Sequence, residues 1–180
     1  MASQSIGYRF EREIRASANR LPGVMLYKVR NTPGKRNPSG IGHIDYVGHI
    51  WGSAVALELK ATAGERFRLS SVRDSQRSEL MNHWKYGALS FLLVRFWLGG
   101  KPAVLAIPDP LLESFCDRGT GSLSLLQLAD EWQGLLLPRL AASTTRVRSV
   151  LWDLGWLEQI YLNYTHMLSG GRYELRPKSK

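Results

Sequence analysis

Asp45, Glu58 and Lys60 are the residues of this sequence whose types and spacing suit a chemical task. Glu58 and Lys60 flank Leu59 in the apolar run Ala56-Leu57-Glu58-Leu59-Lys60. In an extended strand, alternation puts both polar side chains on one face and Leu57 and Leu59 on the other. An acid and a lysine on a hydrophobic strand cost desolvation unless a partner or a metal compensates. Asp45 lies upstream in Gly42-His43-Ile44-Asp45-Tyr46-Val47-Gly48. On a neighbouring strand it completes a carboxylate pair for a hard divalent cation, Mg2+ or its substitute Mn2+, which takes oxygen ligands and keeps several waters. Such a site suits phosphodiester hydrolysis: the cation lowers the pKa of a water and stabilises charge on the phosphate oxygens. A lysine there can orient the water, help deprotonate it or neutralise the transition state. The plain alternative is a salt bridge at a strand end. The apolar strand, the upstream aspartate, a preceding helix with its own acid and the basic chain together favour the chemical reading.

The elements around these residues follow from periodicity. Residues 5–20 read as an amphipathic helix, with Ile6, Phe10, Ile14 and Ala18 on one face. Leu21-Pro22-Gly23 ends it, and residues 24–30 form a short strand. Residues 31–42 (NTPGKRNPSGIG) read as a loop or mobile arm with Lys35 and Arg36 at its centre. Strands are expected over 43–50, 53–60 and 88–97, the first two joined as an antiparallel hairpin by Trp51-Gly52. Residues 71–86 read as a helix with Leu80, Met81 and Trp84 turned to the sheet, and 103–107 as a last strand. Two leucine- and tryptophan-rich helices are expected over 123–137 and 149–162. The order predicts a three-layer α/β core with a mixed central sheet over residues 1–110, and a helical extension over 111–180 that packs on the core or builds a dimer surface.

The chain has 180 residues, a net charge of +9 and 44% hydrophobic residues, the profile of one globular domain. Its basic excess points to a polyanionic partner, because each neutralised phosphate releases counterions. The single cysteine, Cys116, excludes an intrachain disulfide or a cysteine metal cluster and fits a reducing compartment. The N-terminus is charged where a signal peptide needs an apolar core, and apolar stretches such as 88–98 are too short to span a bilayer. A soluble cytoplasmic protein with no membrane partner is expected.

Several stretches carry a family likeness: Gly7-Tyr8-Arg9-Phe10-Glu11-Arg12-Glu13, Asp45-Tyr46-Val47-Gly48, Ala56-Leu57-Glu58-Leu59-Lys60-Ala61-Thr62, Gln76 in the following helix, and the run 87–94. Over roughly the first 110 residues the chain resembles the PD-(D/E)xK nuclease superfamily. Within it the chain is similar to Holliday junction resolvases of the RecU type, and more distantly to the archaeal Hjc type. Ile44 stands where the superfamily often has proline. The resemblance implies a restriction-endonuclease-like core in which Asp45 and Glu58 hold magnesium, with Glu11 completing the acidic cluster directly or through a water. Lys60 would serve the attacking water, and Gln76 would support the site. It also implies a homodimer that cuts two opposing strands of a four-way DNA junction, with the arm at 31–42 entering the junction.

Lys28, Arg30, Lys35 and Arg36 are candidate phosphate contacts, and Arg66, Arg68 and Arg73 could line the same groove. Tyr46 and Trp51 read as core or hairpin residues before base-stacking ones, and Trp132, Trp152 and Trp156 as core or dimer residues. For His43 and His49 an exposed or hydrogen-bonded role is the default. The expected function is junction resolution in recombination, repair or phage genome processing. The rivals are a duplex endonuclease on the same fold, for which the chain leaves little room for a recognition domain, and a non-catalytic DNA-binding protein, against which the intact site residues argue.

Overall fold

A computed structural model describes residues 2–29, 44–131, 133–140 and 150–168. The first helix, α1 (Ala2–Ala18), buries Phe10, Ile14 and Ala18 as the four-residue spacing requires. Strands β1 (Val24–Lys28), β2 (Tyr46–Ile50) and β3 (Ser53–Ala61) form an antiparallel meander. The expected strand at 43–50 is regular only from Tyr46. Asp45 sits in a bend just before it, with its N–H donated to the Leu57 carbonyl and its own carbonyl accepting from Val29.

From β3 the chain makes β4 (Arg66–Arg68) and α2 (Asp74–Lys85), and returns as β5 (Leu89–Leu98), parallel to β3. Strand β6 (Lys101–Pro108) runs antiparallel at the far edge. The result is a mixed five-stranded sheet in the order β1-β2-β3-β5-β6, the mixed α/β architecture that the periodicities predict. The two principal helices cover opposite faces. Arg95 points to α1, where it meets Glu13, while its neighbours on the other side of β5 include Ser90, whose hydroxyl donates to the Leu80 carbonyl of α2. By the same alternation Leu57 and Leu59 face α1, and Glu58 and Lys60 face α2.

The last third departs from the two expected helices. Residues 122–124 form a strand, β7 (Ser122–Ser124), paired antiparallel with β4, so that Leu123 is buried opposite Phe67. Leu125–Glu131 is α-helical (α4), a single 3-10 turn follows at Gln133–Leu135, and Leu136 bridges to Leu105 of β6. A short helix, α3 (Asp109–Asp117), precedes this segment, and α5 (Trp156–Leu168) ends the described chain six residues beyond its expected limit of 162. Trp152 is buried against α1, its N–H donated to Ser17 Oγ (2.8 Å) and its indole to Glu13 Oε2 (3.3 Å). Tyr161 of α5 packs on Trp84 of α2 with ring centroids 4.8 Å apart. Among the described residues no helix is long and apolar enough to cross a membrane.

Candidate active site

The site forms where β2 begins and β3 ends. The β2–β3 register brings Asp45 beside the Leu57–Leu59 backbone, and Asp45 Oδ2 accepts the Leu59 N–H at 2.8 Å. One residue back along β3, Glu58 projects to the α2 face and is 1% exposed. Its Oε1 accepts from Gln76 Nε2 (2.6 Å) and pairs with Lys60 Nζ (2.8 Å). Gln76 is itself oriented by two donors to its Oε1: Lys60 Nζ at 3.2 Å and the Arg73 N–H, which opens α2, at 3.1 Å. That second bond is the glutamine half of a capping box, so the helix start and the site share one side chain. Glu58, Lys60 and Gln76 thus close a ring in which each polar head is held by the other two.

One atom is left out of the ring. Glu58 Oε2 is buried with no hydrogen-bond partner among the described residues. Leaving a carboxylate oxygen buried and unsatisfied is costly. The cost shows in the acidity: burial, and then the neighbouring Asp45 charge, push the Glu58 carboxyl up to about 7, with Lys60 pulling the other way. Asp45 is also raised, by burial first and by the Glu11 charge, against the Leu59 N–H, Lys60 and Lys28. Two acids that hold their protons tightly, one with an unused oxygen, fit a hard divalent cation, which can be bound through one or two carboxylates with waters and substrate phosphate filling the rest. Among the described residues no three His, Cys, Asp or Glu side chains group into a fuller metal cluster.

Glu11 does not join the pair. It lies on α1, beneath the opposite face of the sheet from Glu58, and its Oε2 accepts from Lys28 Nζ. It reaches Asp45 through its charge. Lys28, a candidate phosphate contact, is therefore ion-paired, and that contact raises its pKa. Arg66 and Arg68 are exposed on one face of β4, with Phe67 buried between them. Arg73 is exposed at the start of α2, and its charge favours ionised Glu58. Arg30, Lys35, Arg36, His43 and Trp132 lie outside the described residues. His49 is exposed at the far end of β2 from Asp45. Tyr46, Trp152 and Trp156 are core residues or pack against the core. Trp51 caps the hairpin, its indole donating to the Pro22 carbonyl (3.1 Å) and lying where a Cβ on Gly23 or Gly155 would be.

One contributor was missed by sequence reasoning. Glu79, one turn after Gln76 on α2, accepts the Ile44 N–H at 3.1 Å and so fixes the approach to Asp45. The i, i+3 spacing from Gln76 was the available signal.

A mixed sheet with a helix on each face, carrying Asp45 and the Glu58-Leu59-Lys60 triplet at one end, defines the class: an α/β core with a mixed central sheet. Within that class, the family profile described as Recombination protein U, RecU, matches residues 39–129, and the chain belongs to that family. Among solved structures the chain is similar to Archaeoglobus fulgidus Hjc, a Holliday junction resolvase from an archaeal hyperthermophile. Identity there is 15%, covering 61% of this chain and 75% of that one, with a TM-score of 0.36. None of the curated protein sequences matches it.

Proposed function

We propose that this protein is a divalent-metal-dependent endonuclease that resolves four-way DNA junctions, with Asp45 and Glu58 as the metal-holding pair. The observation that carries the reading is the buried, unpartnered Glu58 Oε2 beside Asp45 in a chain of the RecU family. Mg2+ is the cation that suits an all-oxygen pair with open positions. When bound, it would supply a water of lowered pKa and neutralise charge developing on the phosphate.

The side chains divide the remaining work. Glu58 Oε1 and Gln76 Oε1 take two of the three ammonium donors of Lys60, leaving one for a phosphate oxygen or the attacking water. About a fifth of the Lys60 side chain reaches solvent, where a DNA strand can approach. Gln76 fixes both Glu58 and Lys60, so the geometry is set before substrate arrives. Glu11 adjusts Asp45 by charge. Arg66, Arg68 and Arg73, with Lys28, Arg30, Lys35 and Arg36, would hold the phosphate backbone. A four-way junction needs two symmetric cuts, which a homodimer supplies with one site per subunit. The core over 1–110 would carry the chemistry, and the described parts of the extension that begins at 111 pack against it.

The test is cutting of a synthetic four-way junction against linear duplex of the same sequence, with and without Mg2+. Junction-selective, Mg2+-dependent cutting is expected, and Asp45→Asn should bind the junction without cutting it. Equal cutting of both substrates would remove the junction reading. Full activity of Asp45→Asn would remove the metal pair.

A further inference from the structure

Gln76 orders the site and, through Glu58 and Lys60, ties the first turn of α2 to β3. The residue after Gln76 ties the same turn to another helix. Gln76 faces the sheet, and Arg77, rotated about 100° around the helix, meets α3. Its Nε donates to Glu113 Oε1 at 3.0 Å and its terminal nitrogen to Glu113 Oε2 at 2.9 Å. The pair is bidentate and mostly shielded, with side chains 27% and 16% exposed. Such a fork fixes both distance and orientation, which a single contact does not. Asp74 adds a second, exposed contact to Arg77 at 3.5 Å. The first turn of α2 is thus clamped to α3 within one residue of the side chain that positions Glu58 and Lys60.

We infer that Arg77 and Glu113 are positioning residues: their paired fork sets the register of α2 and, through Gln76, the alignment of Glu58 and Lys60. This rests on the active-site reading above. The fork touches none of the reacting groups, so its effect must pass through Gln76. A small misplacement of a positioning group can cost one to two orders of magnitude in rate.

Glu113→Gln and Arg77→Lys each remove the fork while keeping side-chain size or charge. In single-turnover cutting of a four-way junction with Mg2+, each should lose about tenfold in rate with junction affinity unchanged. In the metal-free, DNA-free protein, hydrogen exchange at the Arg73 amide, held by Gln76 Oε1, should quicken. In a Gln76→Ala background, adding Glu113→Gln should leave the rate where it is, because the link is already cut. The inference is overturned if both variants cut at the wild-type rate. It is equally overturned if Glu113→Gln multiplies the loss in the Gln76→Ala background, or if Arg73 exchange is unaltered. Asp45→Asn in the same assay separates the two levels: if it still cuts, the site reading has failed, and if it is dead while the fork variants are wild-type, only the clamp has.

Discussion

Neutralising Glu58 should make the metal-free protein more stable while ending its cutting. The fold raises this carboxyl from 4.5 to about 7, chiefly by burial. At about 1.4 kcal/mol per pH decade, keeping it ionised inside the fold costs about 3 kcal/mol once the pH exceeds 7. The sign follows from proton binding. Between pH 4.5 and 7 the unfolded chain has released this proton and the folded chain still holds it, so the contribution to stability falls as pH rises and levels off above 7. Glutamine has no proton to release, and its carbonyl still accepts from Gln76 and Lys60. The Lys60 ion pair is already contained in that figure, since it is part of what holds the carboxyl down to about 7. Glu58→Gln should therefore gain about 3 kcal/mol at pH 8, or roughly 6–12 °C in Tm for a domain of this size. The gain should shrink below about 1 kcal/mol at pH 5, where the wild-type carboxyl is already protonated.

Urea denaturation in chelator at pH 5 and pH 8 measures both values. A variant no more stable than wild type at pH 8, or one that gains as much at pH 5, would refute the reasoning. On the proposed metal pair, saturating Mg2+ should reverse the order, because only the wild type would bind it there and gain that binding energy. Since the cation would have to displace the Glu58 proton, its apparent affinity should weaken about tenfold per pH step below 7.

Arg66→Ala with Arg68→Ala should weaken junction binding and lower the slope of log affinity against log salt by about 2, with the rate at saturation unchanged; a salt titration reads this directly, and an unaltered slope would take β4 off the DNA. Asp109, buried at the start of α3 and raised to about 7 chiefly by burial, should behave like Glu58 in stability alone: Asp109→Asn should raise Tm at pH 8 more than at pH 5. Glu13→Gln should cost about 3–5 kcal/mol in urea denaturation, because it leaves the buried Arg95 guanidinium without its charge partner.

The legible part of this chain is the part governed by short periods. Alternation in Ala56-Leu57-Glu58-Leu59-Lys60 put the acid and the lysine together, and Trp51-Gly52 marked the hairpin that carries Asp45 alongside. The small β4–β7 sheet was hidden because each strand has three residues, too few for a period to emerge, and the leucines at 123–128 suit a helix equally well. The fork between Arg77 and Glu113 spans 36 residues of sequence and leaves no local trace.

The two glutamates of α1 show the remaining gap most sharply. Glu11 and Glu13 stand two apart, and helical geometry sends them about 200° apart, but the sequence does not say which face of the sheet the helix will cover. In the fold Glu11 pairs with Lys28 at a half-exposed edge, while Glu13 is fully buried. Burial alone does not separate a structural acid from a reactive one, since Glu13 and Glu58 are equally hidden. Satisfaction separates these two. The Glu13 carboxylate is met by Arg9, Arg95 and the Trp152 indole, so its charge is spent on joining α1, β5 and the C-terminal segment. Glu58 keeps one oxygen unpartnered and holds its proton to about 7. Asp109 shares both traits, so an unmet oxygen is not enough by itself. What differs is the neighbouring acid: beside Asp109 it is Glu113, already forked to Arg77, whereas beside Glu58 it is Asp45, itself raised, and a pair of raised carboxyls is the arrangement a hard cation would relieve.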